Sequence, residues 1–298
     1  MLWLLFGCET EFNPGIEENP QLVVHAFLRP GTVPSVRLNE SQFILDRISP
    51  NGFTYHNHAQ VEISDQQGNT FKLASVGDGI YLGDFLLEAE ASYFLKIESP
   101  EFPLIISQDF LPGMVEIDSF AMEKSLTNVN LDDRGYKATL SFTDPVEKDN
   151  YYAIEIIIAR TGATQLFEET PGYLFTEDTK VNTSGNTDIT IGDDQDPSSI
   201  NANLVLFISD INLNNGENKF EFFVAPLGIR DLEQQDIYVV LKNISKNYYN
   251  YLLTTSFQKE IEEEDTFVEP VQIISNISNG LGIFTAYNYD TLKATIIK

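Results

Sequence analysis

A chain of 298 residues is long enough for one large domain or two ordinary ones, and its 42% apolar and 12% aromatic content excludes a disordered acidic chain. Its 45 Asp and Glu stand against 18 Lys and Arg, a formal net charge of -27. A mean field of that sign repels phosphate backbones and anionic head groups, which sets nucleic acid aside as a partner. What remains is a folded, acidic, β-leaning protein.

The chain opens MLWLLFGCETEFNP, and Cys8 is its single cysteine, so no intramolecular disulfide forms. The four residues Leu5–Cys8, LFGC, fit a bacterial lipobox: an apolar residue three before the cysteine, a small one directly before it, and a cysteine that receives diacylglycerol. A membrane span needs ~20 apolar residues, far more than precede Cys8. The first basic residue is Arg29, so residues 1–8 lack the positive region that starts a signal peptide. They read as a truncated signal ending at the lipidated Cys8. Residues 9–20 are polar and carry Pro and Gly, the composition of a tether. Stable anchoring takes two or more acyl chains, which a tri-acylated cysteine supplies.

From 21 to 112 the apolar period is two, and the expected unit is an antiparallel β-sandwich. Leu22, Val24, Ala26 and Leu28 share one face of the first strand. Ala59, Val61 and Ile63 share a face of another, which turns at DQQGN (65–69) into TFKLAS. Strands over 80–87, 92–99 and 103–110 complete the set, and no helix is expected before Pro112. LPG at 111–113 marks a boundary.

Residues 113–298 read as a second β-rich domain. Ala138, Leu140 and Phe142 face inward, and YYAIEIIIA (151–159) is apolar on both faces, the pattern of a central strand covered on both sides. Residues 171–199 read as a long polar loop, followed by strands in ANLVLFISD and NKFEFFVAP. One amphipathic helix is expected near 246–262, with Ser245 as N-cap and an apolar stripe of Tyr248, Tyr249, Leu252, Leu253 and Phe257. In the stretch 267–287, VQII reads as a short strand. Asn279, Gly280 and Gly282 then supply positive backbone dihedrals before Ile283 and Phe284 re-enter the core.

Few residues offer chemistry. His56 and His58 are spaced to share one face of a strand, a spacing zinc or copper uses, with His25 a possible third ligand; the plainer reading is an outward polar pair. Asp210, Asn212, Asn214 and Glu221 imitate a calcium loop, but the glycine falls one place late at Gly216, and a hairpin with an Asn-Gly turn explains the same residues. The acidic run 192–196 reads as solvated. No GxSxG, HExxH, Walker or GxGxxG motif occurs, so the expectation is a protein that is not an enzyme and carries no cofactor.

SNISNGLGIF after EPVQI, together with the helix containing YYNYLL, the early LVVHAFL and the lipobox with EFNP behind it, resembles a family of Bacteroidota lipoproteins classed as a domain of unknown function. The resemblance covers nearly the whole chain. It implies an outer-membrane, cell-surface lipoprotein with an immunoglobulin-like or transthyretin-like N-terminal sandwich. Family members are often encoded beside TonB-dependent receptors, which implies an outer-membrane β-barrel partner. Asn276, Asn279, Gly280, Gly282 and Phe284 form the family's signature loop, structural or in contact with that partner. The alternatives are a structural subunit of an envelope or secretion assembly, and a carboxylate-based hydrolase.

Overall fold

In the computed structural model the described residues are 19–42, 54–124, 136–145, 149–160, 173–175, 182–184, 205–209, 213, 216–225, 235–264 and 271–297. The fold is mostly β. β1 (Leu22–Leu28) buries every second residue, as its alternation demands. It is followed by β2 (Ser35–Glu40), β3 (Thr54–Tyr55), β4 (Gln60–Asp65), β5 (Thr70–Gly77), β6 (Ile80–Leu82), β7 (Ala91–Glu98) and β8 (Ile105–Leu111). These strands run in the spatial order β1-β2-β6-β5-β4-β7-β8, with β3 on β2. The sheet folds over on itself around a core that includes Val24, Leu38, Ile63, Tyr81, Leu95 and Ile97. The expected hairpin is β4–β5, and its turn is fixed by Asp65, whose carboxylate accepts from the Gln67 and Asn69 N–H groups, both at 2.9 Å.

The second half contains β9 (Ile117–Lys124), β10 (Tyr136–Asp144), β11 (Tyr151–Arg160), β12 (Tyr173–Phe175), β13 (Asn182–Ser184), β14 (Val205–Ser209), β15 (Gly216–Ala225), β16 (Gln235–Ile244), α1 (Lys246–Glu264), β17 (Leu281–Lys293) and β18 (Thr295–Ile297). One layer has the order β12-β15-β10-β9-β18 and the other runs β13-β14-β11-β16-β17. Leu140, Phe142 and Phe222 of the first pack on Tyr152, Ile154 and Leu241 of the second. β11 lies between β14 and β16, with Ala153 on its other face under α1. This double cover is why its sequence is apolar on both faces, with the buried Glu155 paired to Lys242.

α1 starts where its cap dictates: Ser245 Oγ accepts from the Tyr248 N–H at 3.2 Å, satisfying a first-turn donor. Tyr248 and Leu252 are buried beneath it. The stripe is shorter than its spacing predicts, because Phe257 is 47% exposed.

Several local expectations change. The stretch 171–199, expected as a loop, contains the short strands β12 and β13, and the strand expected over 80–87 ends at Leu82. The sheets are not wholly antiparallel: β17 runs parallel to β1 from Leu281 to Ala286 and then antiparallel to β16 from Tyr287 to Lys293, and β18 runs parallel to β9. One strand therefore completes both cores, with Phe284 and Ala286 in the first and Leu292 against the second. β14 and β15 do not form a hairpin; β14 pairs with β11 and β13, while β15 pairs with β10 and β12 in the opposite layer. VQII is not a ladder strand. Finally, Gly280 has no positive φ, a need met instead by Asn279 at 55° and Gly282 at 97°.

Candidate functional site

The segment joining the two cores, residues 112–117, is strapped down by side chains from β16 and β17. Asn243 Nδ2 donates to Gly113 O at 3.0 Å, Asn288 Nδ2 donates to Pro112 O at 3.3 Å, and Ile117 N donates to Asp290 Oδ2 at 2.8 Å. Three backbone groups that leave the sheet ladders at this boundary thus gain partners. Between this strap, the end of β8 and the start of α1 lies a cleft of about 830 Å³. That volume lies in the range of small-molecule sites, as does its position where two structural units meet.

The cleft wall mixes apolar surface from Phe110, Met114, Val115 and Ile244 with the carboxyls of Glu90, Asp109 and Asp149 and the ammonium of Lys246. Phe110 and Met114 are 40% and 50% exposed, so the mouth has apolar lips. Asn243 Oδ1, in the wall, is buried without a hydrogen-bond partner. Asp109 lies deep in this wall at the N-terminus of α1, where Asn247 Nδ2 donates to its Oδ1 at 2.9 Å. Ser245 Oγ and Thr285 Oγ1 are hydrogen-bonded to each other at 2.9 Å and both favour the ionised carboxyl, although its Oδ2 is buried without a hydrogen-bond partner. Burial nevertheless outweighs these donors and raises the Asp109 pKa to about 6. Three carboxyls against one ammonium suit a ligand carrying an amine or several hydroxyls, with apolar surface to cover the lips. The Pro-Gly boundary was visible in the sequence, but the cleft beside it was not.

The signature residues lie elsewhere, along the seam between β8 and β17. Asn276 acts as a length of backbone: its Oδ1 accepts from Phe284 N at 3.0 Å and its Nδ2 donates to Phe284 O at 2.6 Å. Its own carbonyl accepts from Ser107 Oγ at 2.8 Å. Ser278 N donates to Ile106 O at 3.1 Å, Ile106 N donates to Ser278 Oγ at 2.8 Å, and Asn279 Nδ2 donates to Leu104 O at 3.0 Å. These contacts cover the edge of β8, which would otherwise present unpaired groups. A Cβ on Gly280 would stand 2.8 Å from Leu22 O, and one on Gly282 would overlap the Val24 carbonyl. Phe284 is fully buried. Each of the five residues thus has a role in the fold.

The histidines do not meet. His56 follows β3 and is 3% exposed, His58 is exposed, and neither lies on a strand. His25, on β1, is close to Arg37; burial first and that guanidinium second lower its pKa to about 4. His56 instead faces Glu40 and Glu101, whose partnership no local spacing announced. Of the calcium candidates, Glu221 is on β15 and pairs with Lys137 at 3.0 Å, while Asp210, Asn212, Asn214 and the run 192–196 lie outside the described residues, as does Cys8. Among the described residues no helix is long and apolar enough to cross a membrane.

Two of the solved structures that this chain resembles are distant matches. The full-length major pilin SpaD of Corynebacterium diphtheriae is 11% identical, with a TM-score of 0.24 over 95% of this chain and 67% of the pilin chain. The Enterococcus faecalis MSCRAMM ACE, described as binding its ligands by the collagen hug model, is 8% identical, with a TM-score of 0.23 over 95% of this chain and 96% of its own. At those scores neither match assigns a function. No curated protein matches. The model of a family described as a domain of unknown function, DUF4249, spans residues 9–293, and the chain belongs to that family.

Proposed function

We propose that this protein is a lipid-anchored, non-catalytic binding protein of the outer-membrane surface, held through Cys8, which docks on a β-barrel transporter of the TonB-dependent class and presents its inter-sandwich cleft to a small ligand. The cleft is the observation that carries the binding role: about 830 Å³, with an apolar mouth and polar groups in its wall. The anchor and the barrel partner are supported by the LFGC stretch and by the family resemblance carried by SNISNGLGIF. A non-catalytic role is favoured because no nucleophile–base pair is recognisable in the sequence.

Purification from detergent-solubilised outer membrane tests the reading directly. A β-barrel protein is expected to co-purify, and the N-terminal peptide is expected to begin with an acylated Cys8. Elution without a barrel would sink the docking role, and an unmodified Cys8 would sink the anchor. A thermal shift with amine-bearing or polyhydroxyl nutrients, abolished by Met114→Glu at the cleft lip, would establish ligand capture.

A further inference from the structure

At the end of the first sandwich remote from the cleft, three chain segments bring metal-ligating atoms together. Glu40 is the last residue of β2, His56 follows β3, and Glu101 lies in the turn between β7 and β8. His56 Nδ1 is 3.2 Å from Glu40 Oε1 and 3.9 Å from Glu101 Oε2, and the three ligand atoms all lie within 4.8 Å of one another. In a tetrahedral zinc site with bonds of about 2.0–2.2 Å, neighbouring ligand atoms stand roughly 3.3–3.6 Å apart. The two distances bracket that range. Glu101, 69% exposed, has the freedom to close the longer one.

The imidazole is held as a ligand must be. Tyr81 Oη donates to His56 O at 3.0 Å and accepts from Ala59 N at 3.0 Å, and Gly79 N donates to Asn57 Oδ1 at 2.8 Å. The connection from 56 to 59 is therefore fixed to the core. The ring is backed edge-on by Phe102 at 5.2 Å, and its Nε2 is 3.0 Å from Ser99 Oγ. With Nε2–H donating to Ser99, the Nδ1 lone pair faces the two carboxylates, an arrangement a cation resolves; a second-shell oxygen of this kind commonly orients a metal-bound histidine. Among the described residues no lysine or arginine forms an ion pair with either carboxylate.

We propose that Glu40, His56 and Glu101 bind a first-row divalent transition-metal ion, which clips the β2–β3 end of the first sandwich to its β7–β8 turn. Two carboxylates neutralise the dication, and one imidazole selects zinc-like ions over calcium and magnesium, which prefer oxygen alone. Water completes the coordination on the exposed side, next to Glu101.

The test uses the full chain, stripped with a chelator and titrated with Zn2+ alone by calorimetry, with thermal unfolding alongside. One equivalent is expected to bind and to raise the melting temperature, since an ion that binds only the folded state stabilises it. His56 is buried and its replacement can unfold the chain, so Glu101→Gln and Glu40→Gln carry the test. Each is expected to weaken Zn2+ at least tenfold, while His58→Gln, at the exposed neighbouring imidazole, leaves affinity unchanged. No stoichiometric binding, wild-type affinity in both glutamine variants, or loss of binding in His58→Gln would each overturn the proposal.

Discussion

The seam at 275–284 and the strap at 112–117 both tie distant parts of the chain together through asparagine side chains, yet they are built on different physics. At the seam, backbone lies against backbone: Gly280 and Gly282 touch the carbonyls of β1, and Asn276 takes the place of a ladder strand beside Phe284. At the strap, Asn243, Asn288 and Asp290 reach across to single backbone groups beside a cleft open to solvent. Residue identity at the seam is set by space and by uncharged hydrogen bonds, and at the junction by hydrogen bonds and charge. Substitutions at the seam should therefore be severe and insensitive to pH, and those at the junction graded and pH-linked.

The largest expected effect is at Gly282. Alanine there would overlap Val24 O in a backbone conformation, φ 97°, that side chains rarely adopt. Gly282→Ala should destabilise by about 5 kcal/mol or prevent folding, in the range reserved for backbone strain and overpacking. A chemical-denaturation midpoint within about 1 kcal/mol of wild type would mean that β17 does not lie on β1 in this register. Asn276→Ala comes next. It strips partners from the N–H and C=O of Phe284, a residue with no exposed surface. At about 1–3 kcal/mol for each buried group left unpaired, a loss of about 4 kcal/mol is expected, unchanged between pH 5 and 8. A pH-dependent loss would remove the contrast with the junction.

The alternation of β1, the cap at Ser245 and the double cover of β11 were legible because each is decided within a few residues by periodicity or by a local hydrogen bond. The seam was half legible. SNISNGLGIF marks where the chain re-enters the core, but the reason for Gly280 is the Leu22 carbonyl, which lies more than two hundred residues away in sequence. VQII looked like a strand from its β-branched residues, whereas the nearby edge of β8 is covered by side chains of the residues after it. The Asn-Gly pair before β15 is a hairpin signal wherever its flanking strands are neighbours, and here they belong to opposite layers. The spacing of His56 from His58 points to a shared strand face, but the neighbours of His56 come from β2 and the β7–β8 turn, a grouping only the folded sheet creates.

The smallest of the three effects tests the charge side of the contrast by setting the junction against the first sandwich. The Asp109 carboxyl is raised from 3.8 to about 6, chiefly by burial. The folded protein thus holds that proton more tightly than the unfolded chain, and the stability it contributes is present below pH 3.8 and lost as pH rises through about 6. His25 has the opposite sign. Lowered from 6.5 to about 4 by burial and then by Arg37, it contributes stability that is present above pH 6.5 and lost as pH falls through about 4. At about 1.36 kcal/mol per pH unit of displacement, the two act over the same window and oppose each other. Removing either one should expose the other. On going from about pH 7 to about pH 4.5, Asp109→Asn should lose roughly 2 kcal/mol relative to wild type, and His25→Gln should gain a similar amount, read as urea midpoints at constant slope. Both changes are differences across pH, so a fixed penalty for either substitution drops out. If Asp109→Asn tracked the wild-type profile, Asp109 would titrate as an exposed carboxyl does, and the junction would differ from the seam in geometry alone.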